Sequence, residues 1–170
     1  MKKMITLMLM LFTAATMDGV AQEKALSPKE TVKGTIDGAN VEIVYCRPSA
    51  RGRKMLGEKE PYGKVWRTGA NAATTITFDK AVTIEGKALE AGTYALFTIP
   101  NENEWVIIFN KKTDQWGAYD YDKHKDKDAL RVTVKPGKTK EFVETFTIAV
   151  DKGQVGLQWE NTAVAFKVKG

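Results

Sequence analysis

Cysteine and histidine are almost missing from this chain: Cys46 and His124 stand alone. One cysteine excludes an intramolecular disulfide, and one of each excludes a zinc site built from Cys and His ligands. Serine is nearly as scarce, with Ser27 and Ser49 alone. A Ser-His-Asp triad would have to bring Ser49 to His124, and no nucleophile-elbow motif surrounds Ser49. Beyond the N-terminus no apolar run is long enough to span a bilayer. Linkers, low-complexity segments and fixed-period repeats are also lacking. These absences argue for one domain whose chemistry, if any, does not use the usual nucleophiles or metals.

What is present is ordinary for a folded domain. Charged residues make up 28% and hydrophobic residues 43% of 170 positions, with four Trp, seven Phe and five Tyr. That supply of large apolar side chains is enough to bury a core. The net charge of +5 is spread over lysines that alternate with Asp and Glu, as on a solvated surface. No dense basic stripe of the nucleic-acid kind exists, so nucleic acid is not an expected partner. A basic surface and open sheet edges permit self-association without requiring it.

The first residues carry the order of an export signal. Lys2 and Lys3 precede the apolar stretch Ile5–Phe12, and Gly19-Val20-Ala21 ends in small residues. The pattern predicts a signal peptide over 1–21 with cleavage after Ala21, and hence a secreted or periplasmic mature protein without a transmembrane span. Residues 22–30 are polar and read as a flexible N-terminus, and 31–170 as a single β domain.

Period two dominates that domain. Val41, Ile43 and Tyr45 alternate with Glu42 and Val44; Thr74, Ile76 and Phe78 with Thr75 and Thr77. Phe142, Phe146, Ile148 and Val150 share a face, as do Val155, Leu157 and Trp159, and then Val164, Phe166 and Val168. Each is a half-buried strand by spacing. The continuous run Val106–Phe109 predicts a central strand covered on both faces. Asp37-Gly38, Glu85-Gly86, Pro136-Gly137 and Lys152-Gly153 carry turn chemistry, and Ile84–Ala88 reads as a tight hairpin. The fold class predicted is all-β: an antiparallel β-sandwich, jelly-roll-like, of about eight to nine strands. A short helix or turn fits near Arg51–Leu56. Cys46, ending an apolar strand, reads as an inert buried thiol.

The outlier is the unpatterned segment between Cys46 and Thr74. It holds Arg47, Arg51, Arg53 and Arg67, every arginine except Arg131. Arginine presents a planar fork to carboxylate or phosphate and stacks on aromatic rings, which Tyr62 and Trp66 supply nearby. Two readings are open. One is a pocket for an anionic or polyhydroxylated ligand. The other is an ordered loop pinned across one end of the sandwich by Arg–carboxylate pairs and Trp66. Elsewhere, the run Asp120–Asp128 around His124 lacks the Gly and Glu of a calcium loop and reads as a solvated charged stretch, so neither metal nor cofactor is expected. Trp105 and Trp159 read as core; Trp116, in Gln115-Trp-Gly-Ala-Tyr119, reads as folded over the sandwich edge rather than as a sugar platform.

The runs Arg47-Pro-Ser-Ala-Arg-Gly-Arg, Pro61-Tyr-Gly-Lys-Val-Trp-Arg-Thr-Gly-Ala-Asn-Ala-Ala-Thr-Thr, Ala91-Gly-Thr-Tyr-Ala-Leu-Phe-Thr-Ile-Pro and Glu104-Trp-Val-Ile-Ile-Phe-Asn, with Trp116-Gly-Ala-Tyr, resemble the exported bacterial family named domain of unknown function 2911. The likeness covers nearly all of the chain after the leader. It implies an exported β-rich protein and no particular activity. The family's pattern often has Glu where this chain has Ala72.

The expectation is therefore an exported, non-catalytic binding or envelope-associated module. Arg47, Arg51, Arg53, Tyr62, Trp66, Arg67 and Asn71 are its candidate residues for an anionic or carbohydrate ligand. The alternatives are a hydrolase of glycans or envelope material, whose carboxylates nothing in the spacing selects, and a scaffold without a small-molecule ligand.

Overall fold

A computed structural model describes residues 26–170. The predicted signal peptide, 1–21, and residues 22–25 lie outside the described residues. Ten strands form two antiparallel sheets: β1 (Lys29–Ile36), β2 (Ala39–Cys46), β3 (Thr74–Phe78), β4 (Val82–Ile84), β5 (Lys87–Leu89), β6 (Gly92–Ile99), β7 (Trp105–Asn110), β8 (Asp128–Val134), β9 (Gly137–Asp151) and β10 (Gln154–Lys169). The larger sheet runs β1-β2-β3-β6-β7-β8 and the smaller β5-β4-β10-β9. The architecture is the expected β-sandwich, with ten strands rather than eight or nine. Besides β8, the strand missing from the period-two reading is β1. Its more buried face holds Glu30, Val32, Gly34 and Ile36, and Glu and Gly there blur the alternation. It begins inside the stretch whose composition reads as flexible.

The hairpins follow turn chemistry. Asp37-Gly38, Glu85-Gly86 and Lys152-Gly153 each place both residues at positive φ, 47° and 77–80°. Type I′ turns demand this, and it matches the twist of the flanking strands. They join β1 to β2, β4 to β5 and β9 to β10 in two-residue loops.

The core lies between the sheets. Val41, Ile43, Tyr45, Ile76 and Phe78 from one sheet meet Phe146, Ile148, Val155, Leu157, Trp159, Val164, Phe166 and Val168 from the other. Phe142 shares the inward parity of Phe146 but is 54% exposed. The β9–β10 ladder shifts register twice between Gln158 and Thr162. Such bulges bend a strand, and Phe142 lies within the second of them, between Val143 and Lys138.

A second, smaller core sits on the outer face of the large sheet, where Ala73, Ala95, Phe97 and Ile108 pack against Tyr121. It explains the unbroken apolar run of β7: Ile107 and Phe109 face the main core, and Ile108 the outer one. What covers this face is the connection from β7 to β8, which includes the short helix α1 (Tyr121–His124) and a 3-10 turn, Lys125–Lys127. A hydrogen-bonded knot holds it down. Tyr121 Oη donates to Asp128 Oδ2 (2.6 Å), Arg131 Nε donates to the same oxygen (2.7 Å), and Asn110, fully buried, donates to Asp128 Oδ1 and the His124 carbonyl. Burial, and then the neighbouring Asp128 carboxylate, push the Tyr121 hydroxyl far above its ordinary pKa, so it stays a donor. No helix of the described residues is long and apolar enough to cross a membrane.

Candidate functional site

The arginine-rich segment does not gather its side chains at one place. Its first part covers an edge strand. Ala50 N–H donates to the Glu144 carbonyl and Phe146 N–H to the Pro48 carbonyl, both at 2.9 Å, so residues 48–50 extend the small sheet beyond β9. Unpaired edge groups are a liability, and this segment satisfies them. Arg47 completes the seam: Nε donates to the Phe146 carbonyl (3.1 Å), Nη2 to Thr147 Oγ1 (2.8 Å), and Nη1 to Glu30 Oε2 (2.7 Å). Arg53 donates to the Ala50 and Ser49 carbonyls, and Arg51 to the Leu26 carbonyl.

Beyond Arg47 the loop is fixed mainly through its backbone rather than by Arg–carboxylate pairs. The Glu144 carboxylate accepts from Arg51 N–H (2.6 Å), and the Glu160 carboxylate from Met55 and Leu56 N–H (2.8 and 2.9 Å). Residues 51–56 accordingly make turns, with Arg51 at φ 53°.

Trp66 is buried in the main core, stacked on Trp159 (5.5 Å, 14°) with Phe146 and Trp105 edge-on. Its indole N–H donates to the Gly69 carbonyl (3.1 Å), and its backbone exchanges two hydrogen bonds with Thr98. Alternation then turns Trp66 and Thr68 inward and leaves Arg67 half exposed. Thr68 and Asn71 hold left-handed backbone, φ 55° and 60°. Gly69 passes so close to β2 that a Cβ would lie 2.9 Å from the Cys46 carbonyl oxygen. The Trp66–Asn71 run is thus a compact turn that plants Trp66 in the core and presents Arg67 and Asn71 outside it.

There it meets the β7–β8 connection. Gly117 N–H donates to the Asn71 carbonyl and Ala73 N–H to the Gln115 carbonyl (3.1 and 3.0 Å), pairing Ala72 with Trp116. Beside this pairing lies a groove of about 410 Å³ lined by Lys29, Val44, Cys46, Asn71, Ala72, Thr75, Thr113 and Trp116, among others. Trp116 is 66% exposed and Tyr119 76%. Arg67 Nη1 donates to the Asn71 carbonyl (3.1 Å), and its guanidinium sits over the Tyr119 ring at 5.6 Å. Gly117 (φ 69°) makes this contact possible, since a Cβ would come within 2.9 Å of the Tyr119 ring and 3.1 Å of Arg67 Nη1.

Of the seven predicted residues, Asn71 alone lines this groove; Arg67 stands outside the lining, bonded to the Asn71 carbonyl. Arg47, Arg51 and Arg53 lie along the β9 edge. Trp66 is in the core. Tyr62 lines a separate cleft of about 290 Å³ with Asn101, Trp105 and Lys138. Two sequence readings change. Trp116 is not folded over the edge but stands in solvent. Cys46 is half-buried and lines the groove; it has the parity of Glu42 and Val44, opposite to inward-facing Tyr45, a signal present in the sequence. Lys29 and Thr113 were not singled out, whereas the tyrosines close to Trp116 mark an aromatic cluster in the sequence.

A larger hollow, about 530 Å³, lies on the β1–β3 face. Its charges are already paired: Lys33 with Glu42 (2.6 Å), and Asp79 with the Asn40 backbone and side-chain amides. It offers no aromatic ring, so the Trp116 groove is the better candidate on chemistry. Glu60, in the loop, has its pKa raised by burial to about 7 against the opposing charge of Arg67. Among the described residues no cluster of His, Cys, Asp and Glu could hold a metal.

No curated protein matches the chain, and neither does any solved structure. The family model described as "Protein of unknown function (DUF2911)" matches residues 27–168. The chain belongs to that family, and the match takes in the β9 seam, the Trp66 turn and the rim of the Trp116 groove.

Proposed function

We propose that this is an exported, non-catalytic module that binds a glycan in the groove beside Trp116. The observation that carries the reading is an indole two-thirds exposed at the rim of a groove that also offers an amide (Asn71), two threonine hydroxyls (Thr75, Thr113) and an ammonium (Lys29). A pyranose has an apolar face for a ring to cover and a rim of hydroxyls for such groups to bond. Exposing large aromatic side chains costs solvation, and clusters of them mark recognition surfaces. No Asp or Glu lines this groove. Glycoside hydrolysis uses two carboxylates flanking the bond, so the lining favours binding over cleavage. Ala72 lies in the lining at the position where the family's pattern often carries Glu. In this account Arg47, Arg51 and Arg53 brace the β9 seam.

The test is affinity electrophoresis of the mature protein in gels containing a panel of polysaccharides, repeated with Trp116→Ala and Asn71→Ala. Retardation by at least one glycan, weakened at least tenfold (about 1.4 kcal/mol) by Trp116→Ala, is expected. Absence of retardation across the panel, or retardation indifferent to both substitutions, would sink the reading.

A further inference from the structure

We infer that the glycan is acidic, and that the outer edge of Arg67 reads its carboxylate. This deepens the reading above and rests on it. Among the described residues, Arg47 uses Nε, Nη1 and Nη2 on protein acceptors, and Arg53 uses Nε and Nη2. Arg67 uses Nη1 alone, on the Asn71 carbonyl, and among the described residues no carboxylate oxygen lies within 4 Å of it. Its Nε and Nη2, the pair that forms a two-pronged bond with a planar carboxylate, are unspent.

The guanidinium is nevertheless held. Tyr119 lies against its face, the Asn71 carbonyl takes Nη1, and Gly117 leaves the space. A fork fixed on two sides, with its third edge in solvent, loses little entropy when it captures a partner. It is anchored to the same Asn71 carbonyl that accepts from Gly117, next to Trp116. Arg67 stands outside the lining and is joined by that bond to Asn71 within it, so its free edge is the one met by a carboxylate that projects from the groove past Asn71. The lining contains Lys29 and no acid, so an anion in the groove meets no like charge there; Glu60, the acid that feels the charge of Arg67, lies outside the lining. A uronic-acid sugar has the required chemistry, an apolar ring face with a planar carboxylate on it. A sulfate ester offers an anion without that planar fork.

The probes are oligomers of galacturonic, glucuronic and mannuronic acid, each paired with the same oligomer after reduction of its carboxyls to neutral hydroxymethyl groups, plus a sulfated galactan. They are titrated calorimetrically into the mature protein and into Arg67→Gln and Arg67→Lys. At least one acid is expected to bind tenfold or more tighter than its reduced partner. Arg67→Gln should abolish that preference while neutral binding persists, and Arg67→Lys, which keeps the charge and loses the fork, should lose most of it. Equal binding of acid and neutral partners, a preference that survives Arg67→Gln, or binding of the sulfated galactan without any uronide overturns the inference and leaves glycan binding standing. Failure of every oligomer to bind removes both.

Discussion

Arg47→Ala separates bracing from recognition within the arginine-rich segment. The substitution removes three hydrogen bonds that join β1 and β2 to the β9 edge. The bond to Glu30 is a partly solvated ion pair, with side chains 26% and 40% exposed, and counts for no more than about 1 kcal/mol. The bonds to the Phe146 carbonyl and Thr147 hydroxyl contribute about 1 kcal/mol each, and the carbonyl loses its partner at a sheet edge. The expected loss is about 2–3 kcal/mol. With a urea slope of about 1–3 kcal/mol/M, the midpoint of equilibrium unfolding falls by roughly 0.7–3 M. Arg67→Ala, which removes one hydrogen bond and one exposed ring contact, should cost less than about 1 kcal/mol. Glycan retardation should survive Arg47→Ala wherever the variant is folded. Stability within about 0.5 kcal/mol of the unmutated protein, or loss of binding with stability intact, would refute the assignment.

Two further outcomes follow from the same geometry. Tyr121→Phe removes the hydroxyl shared by Asp128 and Arg131 and should cost about 1–2 kcal/mol, with amide exchange accelerated first over residues 111–127; unchanged protection there would contradict the anchoring role of the knot. Glu60 holds its proton more tightly folded, with a pKa of about 7, than unfolded, at 4.5. Stability should therefore fall as pH rises from about 4.5 to 7, by up to about 3 kcal/mol less solvent screening, and Glu60→Gln should flatten that slope in urea titrations. An identical slope in the variant would show that Glu60 is not its source.

The strands and hairpins were legible because they rest on local rules. Alternation placed Val41, Ile43, Tyr45, Ile76 and Phe78 inward, and Asp37-Gly38, Glu85-Gly86 and Lys152-Gly153 are the residues a type I′ turn requires. The unpatterned segment 47–71 was visible as a unit, but its division of labour was not. Whether an arginine faces an edge strand or solvent depends on which strand passes beside it, and β9 lies about a hundred residues further along the chain. Trp116 misled for a related reason. Its direction is set by the pairing of Ala72 with Trp116 and by the buried knot at Tyr121, Asp128 and Asn110, none of which has a periodic signature. Cys46 was legible and misread, since the parity that buries Tyr45 turns Cys46 outward.

Trp66, Trp105 and Trp159 are 2–3% exposed, whereas Trp116 is 66% exposed. Acrylamide quenching of tryptophan fluorescence therefore reports mainly on Trp116, and its accessible fraction should vanish in Trp116→Phe. Addition of a glycan that retards the protein in gels should protect that fraction from quenching. A glycan that saturates the protein and leaves Trp116 as quenchable as before would contradict the placement of the site.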